Sequence, residues 1–366
     1  MYNNDSRIVL TLDAGGTNFV FSAIQGNQEI VEPVTLPSRP DNIEACLSTL
    51  VSGFNAIKEK VQHAPVAISF AFPGPADYEH GIIGDLPNFP AFRGGVALGP
   101  YLEEKFGLPV FINNDGNLFA YGEALAGVLP QINAELEEAG SGKRYKNLLG
   151  VTLGTGFGGG VVIDQALLTG DNGCGGDVWC SANKFNNSLI AEENVSIRAV
   201  KRVYKELSGD QADLTPKDIF DIAEGKKAGN RDAAVRSFET LGQAAGFSIA
   251  DSLNIVDGIV VIGGGIASAH KYIVPAMVKE MSGERGLITG SSFPRLQMKV
   301  FDLLNNTDKE NFLKEESKYV SIPGSDKKAL YHTGKKTGVT VSTLGAAKAI
   351  SLGAYAFALK QLDLKK

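Results

Sequence analysis

Two stretches of this chain share one design, and that design narrows the folds available to it. Residues 7–24 read R-I-V-L-T-L-D-A-G-G-T-N-F-V-F-S-A-I, and residues 147–163 read N-L-L-G-V-T-L-G-T-G-F-G-G-G-V-V-I. Each is an apolar run rich in β-branched residues, a Gly/Thr turn and a second apolar run, which is the signature of a strand, a tight turn and a strand. A device used twice suggests two related α/β domains facing one another, with the cleft between them as the default site. The length allows this, because 366 residues can bury two cores, and the 43 glycines suit many tight turns.

Charge and cysteine usage remove several classes of function. A net charge of −6 argues against a surface for nucleic acid, which needs clustered Lys and Arg. Glycines and polar residues interrupt every apolar run short of a membrane span. The opening Met-Tyr-Asn-Asn-Asp-Ser-Arg passes directly into a strand without the charged and apolar regions of a secretion signal. Three cysteines, Cys46, Cys174 and Cys180, are too few for a disulfide framework. The expected setting is the cytoplasm, with small molecules as partners and a homodimer left open.

The chemistry is expected at Ile112–Glu123, I-N-N-D-G-N-L-F-A-Y-G-E, where a strand runs through Asn114 and Asp115 into a helix. A carboxylate on such a turn is held rigidly and can reach a substrate hydroxyl as a general base. Capping of the helix is the other role open to Asp115. In Asp13-Ala-Gly-Gly-Thr17 the glycines let backbone amides face a phosphate oxygen, and Thr17 adds a hydroxyl. Asp13 beside a polyphosphate calls for a cation between them, so Mg²⁺ bound through water is its expected role. An ordinary hairpin turn would carry the same five residues. The second turn contains Gly154-x-Gly156-x-x-Gly159, formally a dinucleotide fingerprint, but Val161–Ile163 continues as strand where the fingerprint needs a helix. Gly263-Gly264-Gly265 follows a buried strand and either admits a base or ribose flat against the backbone or makes a tight turn. Between these, Val66–Phe72 reads as a strand ending at Pro73-Gly74-Pro75, and Gly81–Asn88 as a hairpin and loop.

These pieces in this order resemble the ROK family of bacterial sugar kinases, within the actin-like ATPase superfamily. The resemblance implies two ribonuclease-H-like α/β domains flanking a cleft and an ATP- and Mg²⁺-dependent transfer to a hexose hydroxyl, the 6-OH in glucokinases, with N-acetylhexosamine kinases and fructokinases as alternatives. Residues 1–118 would form the small domain, completed by a C-terminal helix at 350–366. Residues 119–349 would form the large one, with a loosely ordered polar insertion at 305–336. Asn113-Asn-Asp-Gly-Asn117 looks like the family's N-D-x-N, making Asn114 a sugar contact and Asp115 the base. Gly74, Asn88, Asp177 and Glu192 join Asn114 on the sugar. Asp13, Gly15, Gly16, Thr17, Asn18, Gly154, Thr155, Gly156 and Gly263–Gly265 would hold the nucleotide.

The departures from the family pattern matter. Where the family has a Glu, a His and then a three-cysteine run binding zinc, this chain reads Asn172-Gly-Cys-Gly-Gly-Asp-Val-Trp-Cys180. Asp177 stands at the Glu position and Cys180 at the His position, and residues 181–191 contain no Cys or His, so no zinc site is expected. A shorter acid and a weakly bonding thiol loosen a glucose-shaped pocket, implying a weak, broad hexokinase or a substrate with an added substituent near Trp179. Glu192 with Ser196 matches the Glu that ends the family motif, an exposed helix acid being its other reading. Some ROK members are transcriptional regulators with an N-terminal helix-turn-helix, for which the start of the first turn at Asp13 leaves no expected room. A sugar-binding regulator without catalysis is the less favoured reading.

Overall fold

The computed structural model describes residues 1–74, 76–84 and 90–364. The first part of the chain forms β1 (Val9–Ala14), β2 (Asn18–Gln25), β3 (Gln28–Glu29), β4 (Val34–Pro37), α1 (Ile43–Lys58) and β5 (Ala67–Ala71). Short strands β6 (Ala76–Asp77), β7 (Ile82–Ile83) and β8 (Val96–Ala97) follow, then α2 (Leu98–Phe106), β9 (Val110–Asn113) and α3 (Asp115–Leu125). Next come α4 (Val128–Glu138), β10 (Leu148–Leu153), β11 (Phe157–Ile163), β12 (Ala166–Leu167), α5 (Ile197–Ser208), α6 (Pro216–Ala223) and α7 (Arg231–Val256). The remainder is β13 (Ile259–Gly263), α8 (His270–Met281), β14 (Glu284–Gly286), β15 (Ser292–Pro294), β16 (Lys299–Asp302), α9 (Asn306–Leu313), β17 (Ser317–Ser321), β18 (Lys328–His332), β19 (Lys336–Val341) and α10 (Ala346–Leu364).

The chain divides into two compact units, residues 1–127, 160–176 and 343–366 in one and residues 128–159 and 177–342 in the other. The expected division at 118 falls inside α3, and the reason is packing. A methyl group on Gly122 would overlap the Ala349 carbonyl of α10, and one on Gly353 would overlap the Leu118 carbonyl of α3, so the two backbones lie in direct contact. Every residue of α3 from Gly116 to Leu125 is buried.

In the first unit the sheet runs β3-β2-β1-β5-β9, with β4 on β2. The strands β1, β5 and β9 are parallel, and β1 turns back antiparallel into β2. All five residues of β5 are buried, as the central position requires. One face packs on α1, where Phe21, Phe54 and Phe70 meet edge-on or tilted and Gly53 leaves space for the Phe21 ring. Because β1, β5 and β9 are parallel, Asp13, Gly74 and Asn114 all emerge from one edge of the sheet, the edge at which open α/β sheets bind ligands.

The second sheet runs β12-β11-β10-β13-β19-β16, with β10, β13, β19 and β16 parallel. Its C-terminal edge therefore carries both Gly154 and Gly263–Gly265. The region 305–336, expected to be loosely ordered, is instead α9 followed by the β17–β18 hairpin. Its order comes from a few anchors rather than from composition: Phe312 is buried, and Lys336 donates to the carbonyls of Asn311 and Lys314 at 2.9 and 2.7 Å. Hence a polar sequence conceals a folded element.

Candidate active site

The helix cap, one of the two roles open to Asp115, belongs chiefly to its neighbour Asn114. Asn114 is the N-cap of α3, with extended backbone at φ −68 and ψ 147. The Gly116 N–H donates to Asn114 Oδ1 and to Asp115 Oδ1, each at 2.8 Å. Capping therefore falls chiefly to Asn114, and Asp115 Oδ2 makes no hydrogen bond among the described residues. Asp115 keeps a solvent-facing side yet sits amid dense protein, and this desolvation raises its pKa above 3.8 against the lowering effect of the Gly116 amide. Below it Asn113 Oδ1 accepts from Asn114 N–H at 2.8 Å and from Asn117 Nδ2 at 3.1 Å, fixing the turn.

Asp13, at the end of β1, belongs to the same electrostatic site. Burial and then the negative charge of Asp115 raise its pKa from 3.8. Two acids thus share one edge of the sheet with no balancing cation among the described residues, a pair suited to gaining one. The turn beside them is tight, because Gly15 N–H donates back to the Asn18 carbonyl at 3.0 Å. The Gly15 amide, expected to face phosphate, is thereby spent on the turn. Ser38, buried, pins the next peptides: its Oγ donates to the Gly16 carbonyl at 2.6 Å and its N–H to the Thr17 carbonyl at 2.9 Å. In a trans peptide the Thr17 N–H points opposite the Gly16 carbonyl, so the amides of Gly16 and Thr17 are left unbonded among the described residues.

The second unit repeats the arrangement with different anchors. Gly154 N–H donates to the Gly156 carbonyl at 3.0 Å, and the Gly154 carbonyl accepts from Ile197 N–H at 2.8 Å. The amides of Thr155 and Gly156 are then the unbonded pair among the described residues. β11 continues as strand from Phe157, which rules out the dinucleotide fingerprint. Glu192, half-buried in a 3-10 turn at Ala191–Glu193, is not an exposed helix acid. Its Oε2 accepts from Phe157 N–H at 3.0 Å, and its Oε1 accepts from Arg198 at 3.0 Å. Gly264 has φ +87 and lies against the Leu153 backbone, where any side chain would collide, while Gly265 faces open space. Of Gly264 and Gly265, it is Gly265 that leaves room for a ligand to lie against the backbone.

The comparisons with known proteins meet this geometry. The family model described as ROK family matches residues 9–285. The chain belongs to the ROK family. Among ROK proteins, the crystal structure of glucokinase from Parabacteroides distasonis superposes with a TM-score of 0.90 at 60% identity, covering 98% of this chain and 99% of that one. The glucokinase of Thermotoga maritima is 28% identical over 288 residues, 72% of this chain and 84% of its own. The N-acetyl-D-glucosamine kinase of Vibrio parahaemolyticus is 26% identical over 315 residues, 77% of this chain and 97% of its own. The resemblance drawn from four motifs in order is thus borne out, and the fold is the actin-like ATPase type of the ROK sugar kinases.

Other residues named from the ROK pattern fall as follows. Gly74 is exposed just after β5, and Asn88 lies outside the described residues. Asp177 precedes a short 3-10 turn, Val178–Cys180, that Cys180 ends, and Cys180 Sγ donates to the Asp177 carbonyl at 3.2 Å. Both are exposed, as is Trp179 at 40%. Among the described residues no three His, Cys, Asp or Glu side chains gather as a metal site, and no helix is long and apolar enough to cross a membrane. Ser38 and Arg198 were not foreseen, because each acts on a turn distant in sequence and belongs to no motif.

Proposed function

We propose that this ROK chain is an ATP-dependent hexose kinase of the glucokinase type, transferring the γ-phosphoryl group to the sugar 6-hydroxyl with Asp115 as general base. The observation that carries this reading is the free Oδ2 of Asp115 on a buried helix whose cap is supplied by its neighbour. A base needs an open oxygen, a fixed position and a pKa drawn toward neutrality, and Asp115 has all three. Asp115 accepts the proton as the sugar oxygen attacks phosphorus, and the proton leaves later to solvent. Asn114 and Glu192 hold sugar hydroxyls.

The unbonded amides of Gly16 and Thr17, and of Thr155 and Gly156, bind phosphate oxygens. For phosphoryl transfer such positioning and charge stabilisation supply most of the acceleration. The like-charged pair Asp13 and Asp115 fits a divalent cation, with Asp13 holding Mg²⁺ through water. Mg²⁺, when bound, neutralises phosphate charge. The sparse protein ligation suits an ion whose remaining ligands are water and phosphate.

Glucose is the favoured sugar, supported by the 60% identity to the Parabacteroides distasonis glucokinase. The replacements at Asp177 and Cys180 and the exposed Trp179 favour a second reading, an N-acetylhexosamine as the better substrate. ADP release and product analysis across glucose, mannose, fructose, galactose and their N-acetylamino derivatives separate the two. The glucokinase reading expects the highest kcat/KM with glucose and a 6-phosphate product; absence of ADP release with every sugar would overturn the kinase assignment.

A further inference from the structure

The second unit contains a cavity of about 670 Å³ far from the glycine turns in the sheet. Its walls include Tyr145, which leads into β10, Asp257, just ahead of β13, Gln297 and Met298, just ahead of β16, and Lys335, just ahead of β19. These four strands are parallel, so their N-terminal ends converge on the cavity. The glycine turns Gly154 and Gly263–Gly265 sit at their C-terminal ends, and the cavity is therefore a separate place in the unit. Its volume lies within the range of small-molecule sites.

The outer wall is made by the 305–336 region, through Phe312, Lys314, Glu315, His332 and Lys335. Every residue in the strands of the β17–β18 hairpin is exposed, and a two-stranded ribbon is marginal by itself. It is anchored at its base, where Glu315 accepts from Ser141 Oγ at 2.8 Å and Gly142 N–H at 3.2 Å and lies 3.0 Å from His332 Nδ1. The element thus adds little to the core but closes one side of a cavity.

The charge lining that cavity is unbalanced. Glu315 is engaged as described, and Glu316 pairs with Lys336 at 2.9 Å. Lys143, Lys314 and Lys335 make no ion pair among the described residues; Lys143 lies over the Tyr145 ring at 5.1 Å, and Lys314 donates to Asn311 Oδ1 at 2.9 Å. Against these three cations stand two acids in the wall that have no Lys or Arg partner among the described residues, Asp257 and Glu315, whose donors Ser141 and Gly142 carry no charge, so a small positive excess remains. In a chain of net charge −6 this is a local excess of positive charge. Ammonium groups are point charges that surround a tetrahedral anion, whereas a planar carboxylate is matched by the Arg fork. Arg144 is engaged elsewhere, its Nη1 donating to the carbonyls of Ser141 and Lys143 at 2.7 and 2.8 Å and its Nη2 pairing with Glu137 at 3.3 Å. Gln297 and Asn254 Oδ1, which accepts no hydrogen bond among the described residues, add polar groups for a hydroxylated body.

We propose that this cavity binds a small phosphate ester on a hydroxylated carbon skeleton, a sugar phosphate in class, with Lys143, Lys314 and Lys335 around the phosphate. The site is independent of the proposed catalytic residues. Calorimetric titration of the full chain with glucose 6-phosphate tests it, in buffer alone and with saturating glucose and a non-hydrolysable ATP analogue. The expected result is a binding event that persists when both ligands are present, weakens at least about tenfold in Lys143→Ala/Lys314→Ala/Lys335→Ala, and weakens in the single variant Lys335→Glu. Inorganic phosphate is expected to bind the same site more weakly. No binding, complete suppression by glucose with the analogue, unchanged affinity in both variants, or succinate binding as tightly as glucose 6-phosphate would overturn the proposal. ADP release by the same variants is read separately, so failure of the kinase reading and failure of this site are distinguishable.

Discussion

Glu192 clasps the backbone amide of Phe157 at 3.0 Å, and the Cα of Gly156 stands so near that an added methyl would lie 2.5 Å from the same carboxylate. The residue proposed to hold the sugar is thereby tied to the turn proposed to bind phosphate. Arg198 holds its second oxygen at 3.0 Å, which keeps the carboxylate aimed. Displacing Glu192 leaves the Phe157 N–H unpaired, at a cost of about 1–3 kcal/mol.

Gly156→Ala is accordingly expected to lower kcat/KM for the sugar by about ten- to a hundredfold, with the melting temperature lowered by roughly a few degrees. Steady-state kinetics checks this. Wild-type kinetics in that variant would mean that the clasp has no functional part.

The acid pair Asp13 and Asp115 sets a pH dependence whose sign follows from linkage. Both have folded pKa values raised above 3.8, so between that value and their folded values the native state binds more protons than the unfolded state. Their contribution to stability is greatest in acid and falls as pH rises through the folded pKa. Asp13→Asn is therefore expected to melt above the wild type at pH 7 in Mg²⁺-free buffer, with the gap closing toward pH 4, while turnover with ATP is lost. Thermal denaturation against pH checks it, and a variant less stable than wild type at pH 7 would contradict the charge argument.

The backbone contact between α3 and α10 is a stability determinant. Ala at Gly122 or Gly353 must push the helices apart, because the obstacle in each case is a carbonyl of the facing helix. A loss of about 3 kcal/mol or more is expected in chemical denaturation. Unchanged stability of Gly122→Ala would show that the helices tolerate a wider spacing.

Cysteine chemistry separates this chain from the zinc-binding pattern. Cys174 and Cys180 are exposed free thiols, and Cys46 is buried with its pKa pushed up to about 11 by desolvation. Two thiols are expected to react rapidly with an aromatic disulfide reagent in the native protein and the third only after unfolding, and the purified protein is expected to hold no stoichiometric zinc. One tightly bound zinc per chain, with Cys174 and Cys180 protected, would contradict this.

The parts of the fold that could be read in advance are those fixed by local pattern. The strand, turn and strand at 7–24 and 147–163 and the strand-to-helix turn at Asp115 are all present, because short apolar runs and glycine position act over a few residues. The place of Asp115 on that turn was legible for the same reason. What escaped is set by distant contacts: Ser38 turning the Gly16 and Thr17 peptides, Arg198 aiming Glu192, and Gly122 and Gly353 binding α3 to α10. The 305–336 region misled because its anchors, Phe312 and Lys336, are two residues in a polar stretch, and burial of a lysine by backbone carbonyls leaves no periodic signal.

The general-base role of Asp115 is the central claim, and the turnover number of Asp115→Asn with ATP, Mg²⁺ and glucose tests it most directly. Asn keeps the shape and the contact to Gly116 but cannot take the proton. The expected result is a fall in kcat of about two to four orders of magnitude, with sugar and nucleotide affinities measured by calorimetry within a few-fold of wild type. A kcat close to that of the wild type would contradict the account.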